Sequence, residues 1–119
     1  MKSPKQLIQS VGHAFYGFFT ALKSEASLKI QTTIGLIAIG LGIYFEINNT
    51  EWMFVTLSIA AVLTAETINS SIEELADKVT LEKDPMIKKV KDMAAGAVLI
   101  SAIASIIIGC LIFIPKFIQ

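Results

Sequence analysis

The sequence contains no arginine, and it has only one cysteine and one histidine. All ten basic residues are therefore lysines, and ten acidic residues balance them to a formal charge of zero. Because nucleic-acid binding depends on an excess of cationic side chains that neutralise phosphates, this balance does not point to a nucleic-acid partner. The lone Cys110 lies in an apolar run, so the chain has neither a disulfide framework nor a Cys-x-x-Cys metal site.

The sequence also lacks the common glycine-rich nucleotide motifs. It contains no G-x-G-x-x-G, and each of its two glycine pairs with P-loop spacing is followed by an apolar residue where that loop requires lysine. These are Gly12 and Gly17, followed by Phe18, and Gly35 and Gly40, followed by Leu41. An ATP site in this chain must therefore be built in another way.

Apolar residues are abundant: hydrophobic types make up 54% of the 119 residues, more than a soluble domain of this size usually carries. Three stretches are each close to the ~20 residues that cross a ~30 Å hydrocarbon core. They are residues 30–47, 52–68 and 93–114, with a tight hairpin between the first two. We predict a single all-α membrane domain over residues 1–119 with three transmembrane helices.

Most of the lysines lie on one side of these spans. They precede the first span or fall between the second and third, and only Lys116 follows the third: Lys2, Lys5, Lys23 and Lys29, then Lys78, Lys83, Lys88, Lys89 and Lys91. Because lysines near span ends favour the cytoplasmic side, we predict that the N-terminus and the second loop are cytoplasmic.

Residues 5–23 are too polar to span a membrane, yet their apolar side chains recur at steps of three and four: Leu7, Ile8, Val11, Ala14, Phe15, Phe18, Phe19 and Leu22. This pattern predicts an amphipathic helix on the cytoplasmic membrane surface. The alternative is a signal peptide, which would require a continuous apolar region rather than a striped one. His13 falls on the polar face, where it either contacts a nucleotide or is simply solvated.

Polar residues continue the second span beyond its apolar part. Glu66, Asn69, Glu73 and Asp77 are spaced by three, four and four residues, which places them within roughly 80° of arc on one helical face. Three carboxylates on one stripe repel one another unless a cation lies among them, and we expect that cation to be a metal ion.

Glu66 is the most informative of these residues because it lies within an apolar stretch, where a charge costs about 3 kcal/mol on insertion scales. The functional interpretation is a catalytic carboxylate. The alternative is that Glu66 and Asn69 join helices by hydrogen bonds, or that Glu66 reaches the nearby interface. Glu25 and the pair Lys91 and Asp92 fall at the same membrane level, where they offer oxygen ligands for Mg²⁺ and an ammonium group for phosphate, or are ordinary interface charges.

The sequence E-T-I-N-S-S-I-E at residues 66–73, followed by Asp77 and by K-D-M-A-A-G-A-V at residues 91–98, resembles the signature of the prokaryotic diacylglycerol kinase family. The family pattern is E-x-x-N-[TS]-x-I-E-x-x-x-D, a loop, and K-D-x-x-[AS]-[GA]-A-V. Similarity extends over nearly the whole chain. The form of residues 91–98 and the C-terminus resemble the undecaprenol kinase branch more than the enterobacterial diacylglycerol kinase branch.

The resemblance implies an ATP- and Mg²⁺-dependent lipid kinase of the bacterial cytoplasmic membrane. Such an enzyme phosphorylates a lipid alcohol, undecaprenol or diacylglycerol, and forms a homotrimer with active sites shared between protomers. By position, Glu66 corresponds to the general base and Asn69 to its supporting residue. Glu25 and Glu73 correspond to the pair that holds metal with the ATP phosphates.

The remaining motif residues correspond to nucleotide contacts. Lys91 and Asp92 match contacts beside the third span, and Asp77 matches a further polar position. The loop that passes the nucleotide contains Glu82, Lys83 and Asp84. One departure is Gln6, which stands where some relatives have an arginine that reaches the nucleotide.

The sequence leaves two other classes of protein as alternatives. A short three-span chain can be a pore-forming or holin-like protein, although a pore does not need acids confined to one side. It can also be a structural oligomerising module in which Glu66 and Asn69 hold helices together.

Overall fold

The computed structural model describes residues 1–119, and it is all helical. Its helices are α1 (Pro4–Ser24), α2 (Ala26–Tyr44), α3 (Asn49–Val79) and α4 (Pro85–Phe117). The last three are long and apolar enough to cross a membrane. The predicted all-α fold with three candidate spans is therefore confirmed, and a separate helix covers the predicted surface segment.

Three of the four helices begin at a residue whose side chain satisfies free backbone N–H groups, and α2, which begins after Glu25, has no such cap. Ser3 and Gln6 form a capping box before α1, and Asn48 and Glu51 form one before α3. Before α4, Asp84 accepts hydrogen bonds from the N–H groups of Met86 and Ile87, at 2.8 and 3.1 Å. The cap at Asp84 explains why α4 begins before the apolar residues of its span.

The turn between α2 and α3 is set by Glu46. Its φ of 50° is the only positive φ at a non-glycine residue, and it ends the helix because this left-handed conformation cannot continue a right-handed one. The N–H of Ile47 then donates to the carbonyl oxygen of Gly42 at 3.1 Å. Residues 45–47, predicted as part of the first span, consequently lie in the turn.

The turn and the C-terminal part of α4 form what we call the hairpin end of the molecule. Its core consists of Ile47, Val55, Ile112 and Phe113, with Phe45, Trp52 and other side chains packed against it. The rings of Phe45 and Phe117 meet edge to face with centroids 4.9 Å apart. Here α2, α3 and α4 close on one another within a single chain.

The opposite end, which we call the loop end, carries residues 80–84 between α3 and α4. Only 12 of the 119 residues are buried, and large apolar side chains on every helix are exposed. In water such a surface would be unfavourable, but lipid chains or other copies of the chain can cover it. The apolar exterior therefore agrees with a membrane protein.

Candidate active site

Glu66 is the charged residue that the fold buries most deeply. Only 5% of its surface is exposed, and it lies where the apolar part of α3 gives way to a polar one. The ion pairs of the molecule involve Asp92, Asp77 and Glu51, and none involves Glu66. The chain therefore places an acid in an apolar layer without a cationic partner of its own.

The packing of α2 on α3 explains this burial. Gly35 of α2 faces Ile59 of α3. Seven residues later in α2, Gly42 faces Trp52, which lies seven residues before Ile59 in α3. The same step of about two turns in the other direction brings Leu28 to the level of Glu66. Leu28 is the one large side chain with no exposed surface, so this layer is dry on the α2 side.

Asn69 and Glu73 continue the polar face towards the loop end. The Nδ2 of Asn69 donates a hydrogen bond to Oε1 of Glu73 at 3.2 Å. The Oδ1 of Asn69 is buried and has no hydrogen-bond partner. Because an orphaned buried acceptor is costly, this oxygen is a candidate acceptor for a water, a ligand or a neighbouring chain, as are the orphaned hydroxyls of Thr32 and Ser58.

Asp77 differs from the other acids of the stripe because it has a cation. Lys91 of α4 donates from Nζ to Asp77 Oδ1 at 2.6 Å. The sequence predicts that a metal ion offsets the negative charge of the whole stripe. For Asp77 this lysine offsets the charge instead, because the loop between α3 and α4 brings the two helix ends together. The acids without a cation are Glu66 and Glu73.

Glu25 lies between α1 and α2, as predicted. It is the single non-helical residue between α1 and α2, with φ −103° and ψ 116°, and its side chain makes no capping hydrogen bond. The seven-residue register of α2 on α3 carries Glu25 to the level of Asn69. Its carboxylate is in no ion pair within the chain.

The other predicted site residues are spread around the loop end. Glu82 and Lys83 are exposed in the loop, and the carboxylate of Asp84 caps α4. His13 is exposed on α1. Asp92 accepts from Lys88 at 2.6 Å on the surface of α4. Sequence reasoning missed Lys88, although its spacing of four residues from Asp92 is the signal for such a pair.

Within one chain these residues do not form a complete metal site. No group of three or more histidine, cysteine or acidic side chains is close enough together to hold a metal ion. The donor set nevertheless fits a hard cation such as Mg²⁺, which prefers one or two carboxylates together with phosphate oxygens and water. The orphaned oxygen of Asn69 and the unpaired Glu66 and Glu73 are consistent with such a ligand.

A comparison with known families decides what kind of protein this is. The sequence model of the prokaryotic diacylglycerol kinase family matches residues 12–113. The chain belongs to this family. As a member of the prokaryotic diacylglycerol kinases, it falls in a class of lipid phosphotransferases, and the predicted class of enzyme is confirmed. The pore-forming and purely structural alternatives are set aside.

Relatives of the chain carry two different names. Undecaprenol kinase from Bacillus subtilis (strain 168) is 33% identical over 111 residues, which cover 93% of this chain and 90% of that protein. Diacylglycerol kinase from Escherichia coli (strain K12) is 25% identical over 112 residues, covering 94% and 92%. Diacylglycerol kinase from Helicobacter pylori (strain J99) is 32% identical over 102 residues, covering 86% and 80%.

Proposed function

We propose that this protein transfers the γ-phosphoryl group of ATP to the hydroxyl of a membrane lipid alcohol, undecaprenol or diacylglycerol. The observation that carries this proposal is the buried, unpaired carboxylate of Glu66. Along α3 it follows the apolar residues that precede it and comes before Asn69 and Glu73, so we infer a border between a lipid-facing layer and a polar face. A lipid hydroxyl and a nucleotide phosphate can meet only at such a border.

Glu66 is the proposed general base. Its carboxylate takes the proton of the lipid hydroxyl as the hydroxyl oxygen attacks the γ-phosphorus. The new O–P bond forms, the bond from the γ-phosphorus to the bridging oxygen breaks, and ADP leaves. A positioned base of this kind contributes about 10²- to 10⁴-fold to the rate. Asn69 is the proposed supporting residue of the base because it lies about one turn from Glu66 on the same face of α3, although its own hydrogen bond is to Glu73.

The phosphates of ATP are held by charges at the loop end. Glu25 and Glu73 are the proposed Mg²⁺ ligands, supported by carboxylates that are in no ion pair within the chain. Bound Mg²⁺ offsets negative charge on the phosphates. Lys91 is the proposed phosphate contact, with Asp92, His13 and the loop residues Glu82, Lys83 and Asp84 around the nucleotide.

The active site is proposed to be completed in a homotrimer. One observation that supports this is a groove of about 490 Å³ between α3 and α4, lined by Asn69 and by small side chains that include Ala60, Ala61, Thr64 and Ala65. Small residues let helices from another copy approach closely in a membrane. A residue from that copy would also satisfy Asn69. Native mass spectrometry in detergent should give the mass of three chains.

The proposed location is the bacterial inner membrane, with the N-terminus and the 80–84 loop on the cytoplasmic side, where ATP is found. The lysine distribution supports this orientation. Cysteine variants at exposed loop-end and hairpin-end positions should be labelled by a membrane-impermeant maleimide from the cytoplasmic and the outer side respectively. The opposite pattern would contradict the orientation.

Purified protein in mixed micelles provides the direct test of function. Mg-ATP labelled on the γ-phosphate is supplied with undecaprenol or with diacylglycerol in parallel samples. We expect label in at least one lipid, and the better acceptor is the physiological class of substrate. A folded protein that labels neither lipid would contradict the proposal.

A further inference from the structure

The ion pair between Asp77 and Lys91 is the closest polar link between α3 and α4 at the loop end. The donor and acceptor atoms are 2.6 Å apart, and the residues are fourteen positions apart in sequence. The two side chains remain 37% and 49% exposed, for Lys91 and Asp77 respectively. Solvent and a soluble ligand can therefore reach both groups.

This exposure indicates that stability is not the main role of the pair. Exposed ion pairs add little to the stability of a folded protein, because water solvates the separated charges well. The α3–α4 packing does not depend on it either, since these two helices form the most extensive helix contact in the molecule. What the contact does is fix the position of the Lys91 ammonium group.

A lysine needs such a partner if it is to act at a defined point. Its long side chain has much rotational freedom, and its ammonium group is a compact charge with three donors. The contact with Asp77 uses one donor and leaves two for other oxygens. A carboxylate that faces a triphosphate with no cation between them repels it. When an ammonium group lies between the two, its positive charge offsets this repulsion.

We propose that Asp77 is a positioning residue that holds Lys91 for the phosphates of the nucleotide and does not itself contact the nucleotide. This inference rests on the proposed function, in which Lys91 is the phosphate contact. This role distinguishes Asp77 from Glu66 and Glu73, which lie on the same stripe but are in no ion pair. The stripe thus has two parts with different roles.

The test is a double-mutant cycle on the binding of Mg-ATP, measured by equilibrium dialysis with labelled nucleotide, so that turnover is not required. We expect Asp77→Asn to weaken binding about tenfold, since small displacements of a positioned group have effects of at least this size. Asp77→Glu should recover most of the affinity. In the Lys91→Gln background, Asp77→Asn should have no further effect, because the lysine that it positions is gone.

Glu74→Gln is the matched control: it removes the same charge from the same helix, at an exposed carboxylate that is in no ion pair. It should leave Mg-ATP binding unchanged. A loss of affinity with Asp77→Asn that persists in the Lys91→Gln background would overturn the proposal in favour of direct nucleotide contact. Unchanged binding in Asp77→Asn would overturn it as well.

Phosphoryl transfer by the same preparations separates this inference from the proposed function. If the parent phosphorylates a lipid but the two residues show no coupling, positioning by Asp77 is wrong and the kinase function stands. If coupling is seen but the parent labels no lipid, the positioning role stands and the lipid kinase function is wrong. A parent that binds no Mg-ATP would overturn both.

Discussion

The two ends of this molecule are built in different ways. At the hairpin end, a turn, an aromatic pair, a four-residue core and the ion pair between Lys116 and Glu51 are all completed within one chain. At the loop end, Glu66 and Glu73 lack a cation and the Oδ1 of Asn69 lacks a donor. The contrast fits the proposed function, in which the hairpin end stabilises the fold and ligands complete the loop end.

Apart from Glu66→Gln, which is described last, the largest effect is expected from a change at Glu73, also at the loop end. Glu73→Gln keeps an oxygen that can accept from Asn69 but removes the negative charge. If Glu73 is a Mg²⁺ ligand, the Mg²⁺ concentration for half-maximal activity should rise at least about tenfold, as for other changes around metal sites. Titration of initial rates with Mg²⁺ at saturating ATP measures this.

Glu74→Gln is again the control for that titration, since its carboxylate is exposed on the next position of α3. It should leave the Mg²⁺ requirement unchanged. Equal shifts in the two variants would mean that Glu73 acts only through the general charge of the region, and the metal assignment would be wrong.

The second prediction concerns stability at the hairpin end. A Cβ on Gly42 would lie 2.6 Å from Cη2 of Trp52, which is too close without movement of the indole ring or of the helices. Gly42→Ala should therefore destabilise the protein by about 1–3 kcal/mol, the usual cost of overpacking. Thermal unfolding in detergent, followed by circular dichroism, measures the change.

Gly40→Ala is the matched control, because a Cβ there meets no atom within 4 Å. It should not lower the unfolding temperature, since alanine is the better helix former. The fraction of the Gly42→Ala protein that stays folded should keep the turnover number of the parent. A lower turnover number with an unchanged unfolding temperature would contradict the division of roles between the two ends.

The smallest effect is expected for the ion pair at the hairpin end. Lys116 Nζ and Glu51 Oε2 are 2.8 Å apart, and each side chain is 21% exposed. For a pair that is still partly solvated we expect a coupling energy of about 1 kcal/mol. A double-mutant cycle of Lys116→Gln and Glu51→Gln in the same unfolding assay gives this value. A coupling energy of zero would mean that the pair does not stabilise the hairpin end.

Hydropathy and helical periodicity predicted most of the fold. Three apolar stretches were long enough to span, and the four-residue spacing of Glu73 and Asp77 correctly indicated that α3 continues beyond its apolar part. The position of Glu25 between two helices was also predicted. These features depend on local sequence, which is why they could be read from it.

Contacts between distant residues could not be predicted. The position of Lys116 in the sequence bears only on orientation. Nothing in the sequence connects it to Glu51, sixty-five positions away. In the same way the stripe of acids indicated a missing cation but not that Lys91 would supply it to Asp77. The end of α2 at Tyr44 was missed because Glu46 adopts a left-handed conformation that favours glycine.

The central claim is that Glu66 is maintained for catalysis at a cost to the fold, and Glu66→Gln tests it most directly. Phosphoryl transfer and thermal unfolding are measured on the same preparation, with Glu46→Gln, an exposed acid of the hairpin end, as control. We predict a loss of transfer of at least about 10²-fold and an unfolding temperature no lower than that of the parent, because a buried charge is removed. Transfer that is retained in Glu66→Gln, or lost only because the variant unfolds, would contradict the account.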